Sequence, residues 1–356
     1  MSRTRHGNDA SSSACRAAGR MLAAGRVLAA GRLLASILVA AGCSAPMQTL
    51  SSASEPAARI TSLTWFMVIL AVVVYSIVMV AMVAAVRRNR QRSASEVDLS
   101  NPGVRPIVIA GLLLPAVVLT AIFGVAETAL GRSPNGTPAL TINITGHQWW
   151  WELDYALPTL SDRFRTANEI HIPVNQPVRL LLTSADVIHS FWVPRLQGKI
   201  DVIPGDTNEL RLLATVPGTY LGQCAEFCGV QHARMGITVV VDDSATFAQW
   251  LGNQLADART PTDSLTADGQ RLLVTGPCAL CHTVRGTAAQ AQIAPDLTHV
   301  GGRLTIGAGT LPTTVGSLEA WIDNAQLIKP GTQMPALAQF SGEQLRAIAT
   351  YVAGLK

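Results

Sequence analysis

The stretch Cys224-Ala225-Glu226-Phe227-Cys228-Gly229-Val230-Gln231-His232-Ala233-Arg234-Met235 contains two thiols, an imidazole and a thioether. Thiolates and imidazole select copper, zinc or iron–sulfur centres, and a weak thioether ligand is typical of copper. A single Cys with two His would indicate a mononuclear copper site. Because this stretch contains two Cys, its donors and those nearby suffice for two metal ions that share both sulfurs.

A second imidazole lies upstream, in the stretch Asp186-Val187-Ile188-His189-Ser190-Phe191-Trp192-Val193-Pro194. With His189 the donor set becomes two Cys, two His and one Met. A disulfide between Cys224 and Cys228, or a zinc knuckle, would also use the thiols. A disulfide explains neither the imidazole of His232 nor the thioether, and zinc has no use for a thioether. The donor set therefore favours copper.

These stretches, together with Gly146-His147-Gln148-Trp149-Trp150-Trp151, resemble subunit II of the cytochrome c oxidases, whose exposed domain holds the dinuclear copper centre CuA. The resemblance implies two copper ions bridged by two thiolates, with one imidazole on each ion. A thioether and a backbone carbonyl would be the weaker ligands. The thiolates are those of Cys224 and Cys228, and the imidazoles are those of His189 and His232. The thioether is that of Met235, and the backbone carbonyl is that of Glu226.

The resemblance also implies roles beyond copper ligation. Trp149 matches an exposed aromatic ring that receives electrons near the copper, and the side chain of Glu226 would reach a magnesium ion shared with subunit I. On a strand, Trp149 and Trp151 would point one way and Trp150 the other, and two of the three rings are expected to pack in the core. Asp186 and Asp201 also match family positions near the metal, but an Asp beside a turn is more often a cap.

Residues 139–242 consist of short β-rich runs separated by turn signals such as Val174-Asn175-Gln176-Pro177. The predicted strands are 140–145, 169–172, 178–183, 209–214 and 237–241. Several short strands at this spacing indicate a β-sandwich or barrel, and the resemblance implies a cupredoxin-like all-β sandwich. Such a fold must bring the loops that carry His189 and the two Cys together at one end.

A second cofactor motif lies in residues 265–356. The stretch Cys278-Ala279-Leu280-Cys281-His282 has the spacing of c-type haem attachment, in which both Cys bind the porphyrin and the His binds iron. A thioredoxin-like redox pair or half of a zinc site would account for the thiols but not for His282. Met334, in Lys329-Pro330-Gly331-Thr332-Gln333-Met334-Pro335, is the predicted sixth ligand. Axial His and Met leave no open position for oxygen, which is typical of electron transfer.

The whole of 265–356 resembles an all-α class I cytochrome c of bacterial type. The stretch Ala294-Pro295-Asp296-Leu297-Thr298-His299-Val300 matches that family's loop, in which the Pro carbonyl orients the proximal His. His299 is interpreted as structural, with iron ligation as the alternative. Residues 342–354 have the periodicity of an amphipathic helix. Residues 243–264 are interpreted as a linker that contains one helix, over 248–258.

Two apolar runs, 60–86 and 106–127, are each long enough to cross a bilayer, and Pro115 is expected to kink the second. Arg residues outnumber acidic residues in the connecting loop, 87–105, and such an excess places a short loop in the cytoplasm. The helices would then form a hairpin with the later domains outside. Oxidase subunit II usually has a Glu for proton uptake near the start of the second helix, but no carboxylate lies near Val108.

Residues 1–43 have the features of an export signal, because Arg residues precede an apolar run and small residues precede Cys43. The end of this segment resembles a bacterial lipoprotein cleavage site, where Cys43 would be lipidated, and ordinary signal cleavage is the alternative.

Hydrophobic residues make up 49% of the 356 residues and charged residues 14%, which indicates membrane segments. No basic patch with interleaved aromatic residues is present, which argues against nucleic-acid binding.

The sequence thus predicts a multidomain membrane protein with a two-helix hairpin, a cupredoxin-like domain and a cytochrome c domain, the arrangement of caa3-type oxidases. The resemblance implies electron transfer from cytochrome c, or from a quinol–cytochrome c reductase, through haem c and CuA to haem a and the oxygen-reducing site of subunit I. Subunit III is a further expected partner. The expected location is the bacterial inner membrane, with the soluble domains on the periplasmic face. The alternatives are a membrane-anchored electron or copper carrier outside an oxidase, and a subunit of a nitrogen-oxide reductase.

Overall fold

Two helices precede the β-rich part of the chain in the computed structural model, which describes residues 47–91, 108–130, 136–157 and 163–356. Helix α1 spans Glu55–Gln91, and the second segment consists of a π-helical turn, Ile109–Leu113, followed by helix α2, Leu114–Leu130. By length and composition, both segments are apolar enough to cross a membrane. The predicted leader 1–43 with Cys43, and most of the predicted loop 87–105, lie outside the described residues.

The irregularity expected at Pro115 takes the form of the π-helical turn that precedes it. The backbone N–H of Leu114 donates to the carbonyl of Ile109, five residues back. Pro115 has no backbone N–H with which to continue the regular hydrogen-bond ladder. The helix therefore widens by one residue immediately before the proline instead of following a single uninterrupted α-helical path.

The β-rich region folds into two five-stranded sheets, in the orders β3-β2-β1-β5-β8 and β4-β10-β9-β6-β7. Strands β1 and β5 are parallel, as are β4 and β10, and the other neighbours are antiparallel. The strands are β1 Leu140–His147, β2 Trp150–Ala156, β3 Arg163–Ala167, β4 Glu169–Pro173, β5 Val178–Ser184, β6 His189–Trp192, β7 Ile200–Val202, β8 Asn208–Leu212, β9 Gly218–Cys224 and β10 Gly236–Asp242. The five predicted strands correspond to β1, β4, β5, β8 and β10, with ends that differ by up to two residues.

Alternating burial along the strands builds the core of the sandwich. In β1 the side chains of Leu140, Ile142 and Ile144 are buried and those between them are partly exposed. Trp151 in β2 is fully buried between the sheets, whereas Trp150 is partly exposed and stacks on His147. The opposite orientations expected for Trp150 and Trp151 are therefore observed.

The residues that precede α1 are hydrogen-bonded to the sandwich. The N–H of Ala53 donates to the carbonyl of Arg195 at 2.8 Å, and the N–H of Thr215 donates to the carbonyl of Ala53 at 2.9 Å. Ser54 forms an isolated β-bridge with Ala214, and α1 begins at the next residue. Helix α1 thus begins directly after residues that are hydrogen-bonded to the sandwich.

Helix α3, Ser244–Leu255, lies in the predicted linker and packs on the sandwich. The carboxylate of Asp243 caps it by accepting the N–H groups of Ala245 and Thr246. Trp250 stacks on His171 of β4 with ring centroids 4.3 Å apart, and it packs against the sandwich core. The linker helix begins earlier than predicted and is part of the first domain's packing.

The last domain is helical. It contains α4 Ser264–Thr275, α5 Val315–Ile328 and α6 Gly342–Gly354, with 3-10 turns at Pro277–Leu280 and Val300–Gly302 and a short pair, β11 Thr305–Ile306 and β12 Leu311–Pro312. The predicted helix over 342–354 is found at those bounds. Helix α4 crosses α6 closely at Gly269, where a Cβ atom would collide with the backbone carbonyl of Ala347.

We expect Gly269→Ala to destabilise this domain, because the added methyl group has no space against α6. The cost of such overpacking is about 1–3 kcal/mol. Gly252→Ala is the matched control, since Gly252 also lies within a helix but a Cβ there would contact nothing within 4 Å. The control should gain about 0.5–1 kcal/mol from helix propensity. Amide hydrogen exchange in 264–275 and 342–354 measures the effect, and equal protection in both variants would contradict the close crossing.

Candidate copper and haem sites

Strand pairing and one glycine set the positions of the predicted copper ligands. The Cys-rich stretch forms the connection between β9 and β10, and β6 pairs with β9 so that Phe191 lies opposite Cys224. This register brings His189, the first residue of β6, beside that connection. Gly229 has φ +114°, a left-handed conformation that glycine adopts readily, and it allows the chain to turn after Cys228.

The donors around Cys224 lie within a few ångströms of one another. Its Sγ atom is 3.7 Å from the Sγ of Cys228, 3.9 Å from Nδ1 of His189 and 3.2 Å from the carbonyl oxygen of Glu226. Both cysteines are free, so the disulfide considered from the sequence is not formed. Three of the candidate ligands, His189 and the two Cys, also form a cluster with the spacing of a metal site.

The donors around Cys228 complete the predicted set. Its Sγ atom is 3.7 Å from Nδ1 of His232 and 3.8 Å from Sδ of Met235. Met235 is fully buried, and both thiols are about as deeply buried. The structure thus brings together all six predicted ligand residues, and it includes a thioether for which zinc has no use.

Asp186 orients one of the candidate ligands. Its Oδ1 atom lies 2.8 Å from Nε2 of His189, so Nδ1 of that imidazole faces Cys224. The same carboxylate accepts the N–H groups of Gln148, at 2.6 Å, and Val187, also at 2.6 Å. Asp186 matches a family position near the metal, but its interpretation as a turn cap did not predict the bond to His189. The spacing of Asp186 three residues before a ligand His was the available signal.

Hydrogen bonds within the cluster shift the pKa values of Asp186, His189 and Cys224. Burial raises the pKa of Asp186, but hydrogen bonds from His189 and from backbone N–H groups outweigh burial and lower it. Burial lowers the pKa of His189, but hydrogen bonds with Cys224 and Asp186 raise it overall. The hydrogen bond from the thiol of Cys228 is the main cause that lowers the pKa of Cys224. One of the two sulfurs is therefore stabilised as a thiolate, the form that binds metal.

The predicted haem ligands line a single cavity in the helical domain. Cys278, Cys281, His282 and Met334 all face it, together with apolar side chains from the three helices. His282 Nδ1 lies 2.7 Å from the carbonyl oxygen of Pro295, which leaves Nε2 as the nitrogen available to a metal. Burial lowers the pKa of His282, so its imidazole favours the neutral form that can bind iron.

Arg303 supplies an unexpected polar group to this cavity. Its guanidinium is deeply buried and donates to the carbonyl oxygen of Asp296 at 2.5 Å, but its Nε atom has no partner. Burial lowers the pKa of Arg303. A buried, unsatisfied donor of this kind is costly unless an anion or acceptor occupies the cavity beside it. The sequence signal for Arg303 was a lone Arg beside a Gly pair, which is weak.

The alternative iron ligand, His299, does not line the cavity. Its Nε2 atom lies 3.0 Å from the carbonyl oxygen of Ala256, at the end of the segment that joins the two domains. Arg285 likewise donates to the carbonyls of Gln254 and Ala256. These contacts support the structural interpretation of His299 and attach the joining segment to the helical domain.

The sandwich closes one side of the haem cavity. Gln148, Trp149, Trp150 and Asn168 line it alongside residues of the helical domain. Trp149 is only 8% exposed, so the expectation that this ring is exposed was wrong. The helical domain covers the ring of Trp149. The Nε1 atom of that ring donates to the carbonyl of Cys228 at 2.9 Å. The residue therefore contacts the copper-ligand stretch on one side and the haem cavity on the other.

Comparisons with known proteins agree with these two sites. Residues 159–242 match the family described as cytochrome c oxidase subunit II, periplasmic domain, and residues 266–356 match cytochrome c. Cytochrome c oxidase subunit 2 of Alkalihalophilus pseudofirmus is 36% identical over 256 residues, or 71% of each chain. The same subunit of Bacillus subtilis strain 168 is 27% identical over 342 residues, or 90% of this chain and 95% of that one.

Among solved structures, the periplasmic domain of subunit II of the Bradyrhizobium japonicum cytochrome oxidase is similar to part of the chain. It is 36% identical, covers 33% of this chain and 95% of its own, and has a TM-score of 0.31. The first family match includes the copper-ligand stretch, and the second includes the C-x-x-C-H motif. The chain belongs to the cytochrome c oxidase subunit 2 family, in the form that carries a C-terminal cytochrome c domain.

Proposed function

We propose that this chain is the subunit through which electrons reach a caa3-type cytochrome c oxidase. It accepts electrons from a cytochrome c donor at the fused haem c and passes them to a dinuclear CuA centre, and from there to haem a and the oxygen-reducing site of subunit I. The observation that carries the proposal is the position of Trp149, which lines the haem cavity and hydrogen-bonds to the copper-ligand residue Cys228.

The donor chemistry fits two copper ions. The thiolates of Cys224 and Cys228 would bridge the ions, while His189 and His232 would each bind one of them. Met235 and the carbonyl of Glu226 would complete the two coordination shells as weaker ligands. His189, Cys224, Cys228 and Met235 are buried, His232 is partly buried and Glu226 is exposed. Burial of most of the donors suits retention of metal and argues against a copper-delivery protein.

The helical domain fits a covalent haem c. Cys278 and Cys281 would hold the porphyrin, and His282 and Met334 would bind the iron. The unpartnered Nε of Arg303 is suited to a haem carboxylate. Copper and haem iron, when bound, would supply one-electron couples, and this chain would hold the metal ions through these side chains and exclude water from them.

Further roles follow from the outer parts of the molecule. Glu226 is exposed next to the buried ligands, so its carboxylate is available to a magnesium ion shared with subunit I. The helices α1 and α2 would form a hairpin whose Arg-rich loop faces the cytoplasm and whose soluble domains face the periplasm. Subunit III and a lipid on Cys43 complete the proposed assembly in the bacterial inner membrane.

We expect Met235→Leu to change the optical and EPR spectra of the copper centre while leaving the haem spectrum unchanged. Leucine conserves most of the buried volume, so folding should change by less than about 1.5 kcal/mol, but the thioether ligand is lost. Met334→Leu is the reciprocal control and should alter only the haem spectrum. Unchanged copper spectra in Met235→Leu would contradict ligation by Met235.

We expect Asp186→Asn to weaken copper binding by about 10–100-fold, because the second partner of a ligand His holds its ring orientation and basicity. Asp206→Asn is the control, since Asp206 is an exposed carboxylate in the connection between β7 and β8. Titration with a competing chelator measures the affinity. Equal copper affinity in the two variants would show that the bond between Asp186 and His189 is not needed for binding.

A further inference from the structure

A buried lysine lies where the cytochrome domain meets the sandwich. Lys329 is 2% exposed, and it stands five positions before the predicted iron ligand Met334. Its Nζ atom donates to the carbonyl of Trp149 at 2.7 Å and to the carbonyl of Gly307 at 3.0 Å. One acceptor belongs to the sandwich and the other to the cytochrome domain, so a single ammonium group joins the two.

This arrangement is energetically unusual for a lysine. Burial, followed by repulsion from Arg234, lowers the pKa of Lys329 to about 7 against a smaller opposite effect of Cys228, and no carboxylate is among the groups that shift it. A buried ammonium without a carboxylate partner is costly, and an apolar side chain of similar volume would usually be at least as stable in its place. Stability alone therefore does not account for Lys329. A long side chain that ends in a donor can hold the carbonyls of Trp149 and Gly307 together, and an apolar side chain cannot.

The residues next to Lys329 are bound by the copper-ligand stretch itself. Gln231 donates to the carbonyl of Pro330 at 2.7 Å, and Arg234 donates to the carbonyl of Ile328. These two donors flank His232 and precede Met235 in sequence. Segment 328–331 is thus hydrogen-bonded to two side chains, each of which is next in sequence to a predicted copper ligand.

Packing and a hydrogen bond continue the connection to the copper site. A Cβ atom at Gly331, which has φ +86°, would lie 3.3 Å from Val230 and 3.5 Å from the ring of Trp149. The positive φ favours glycine at this position, and a side chain there would press on Val230. From Trp149 the hydrogen bond of Nε1 leads to the carbonyl of Cys228. A continuous series of contacts therefore runs from the Met334 loop, through Lys329 and Trp149, to a predicted bridging thiolate.

We propose that Lys329 is a positioning residue that locks the Met334 loop of the cytochrome domain against Trp149 and so sets the spacing between the haem and copper centres. The lock acts through the backbone of Trp149, which it holds in place between the two sites. This inference rests on the proposed function, because it concerns the transfer of electrons between those two centres.

The test uses the complete oxidase carrying Lys329→Met, which keeps the length of the side chain but removes the ammonium group. Lys356→Met is the matched control, because Lys356 is exposed at the last position of the chain. Copper and haem contents and both optical spectra are measured first. The rate of internal transfer from haem c to copper after rapid photoreduction, and hydrogen exchange in 234–238 and 302–310, are then compared with those of the unmodified enzyme.

Hydrogen exchange in those segments reports on the domain contact independently of electron transfer. The N–H of Gly236 donates to the carbonyl of Ala308 at 2.9 Å, and the N–H of Leu304 donates to the carboxylate of Glu169 at 2.8 Å, so both amides are protected only when the domains are docked. We expect Lys329→Met to keep its metals and spectra, to lose this protection and to slow internal transfer by about tenfold or more. Lys356→Met should match the unmodified enzyme in every measurement.

Unmodified transfer and unmodified protection in Lys329→Met would overturn the proposal. If that variant fails to retain haem, Gln231→Leu decides the question from the sandwich side, because it removes the donor to Pro330 while leaving the cytochrome domain intact. The same two readouts apply, and wild-type values would again overturn the lock. If instead the unmodified enzyme holds no copper or transfers no electron from haem c, the proposed function fails, and the exchange measurements still test the contact.

Discussion

The antiparallel pairing of β6 with β9 is the interaction on which the copper site depends. It sets Phe191 opposite Cys224, and a shift by one residue would turn His189 to the opposite face of its strand. The remaining side-chain donors, His232 and Met235, follow in the β9–β10 connection. The turn at Gly229 brings both of them back to the sulfur of Cys228. A rigid two-sheet core therefore carries a short, densely liganded loop, and the loop needs little adjustment to present its donors.

The second constraint is the contact between the sandwich and the cytochrome domain. The chain binds copper and haem c in one subunit of a haem–copper oxidase, and the two cofactor regions share residues. Trp149 is covered by the cytochrome domain, so a soluble donor cannot reach this ring directly while the domains are docked. In the docked arrangement the ring of Trp149 lies between the copper-ligand stretch and the cavity of the helical domain.

The residues that gather around the two thiols, and those that line the cavity of the helical domain, were identified in sequence because metal preference depends on residue type and short spacing. The strands that alternate apolar and polar residues, such as β1 and β5, were predictable for a similar reason. Strands β2 and β3 were not, because Glu152 and Asp154 pair with Arg165 and Arg163 across the sheet and disguise the apolar pattern. Strand β9 contains two glycines, which weaken any strand signal.

What sequence could not provide was the relation between distant segments. The burial of Trp149, the bond between Lys329 and its carbonyl, and the position of Arg303 all depend on which domain faces which. Local pattern indicates an aromatic residue or a lysine but not its distant neighbour. Asp186 was visible in sequence and was undervalued, because a turn cap and a partner of a ligand imidazole have the same local appearance.

The attachment of α1 to the sandwich has a consequence for how the subunit sits in its bilayer. Since Ala53 and Ser54 are hydrogen-bonded to the sandwich and the helix starts at Glu55, this connection contains no hinge. Transmembrane helices adjust their tilt to the hydrocarbon thickness of the surrounding lipid. In a bilayer, which α1 is long and apolar enough to cross, a change in the tilt of this helix would therefore turn the sandwich with it.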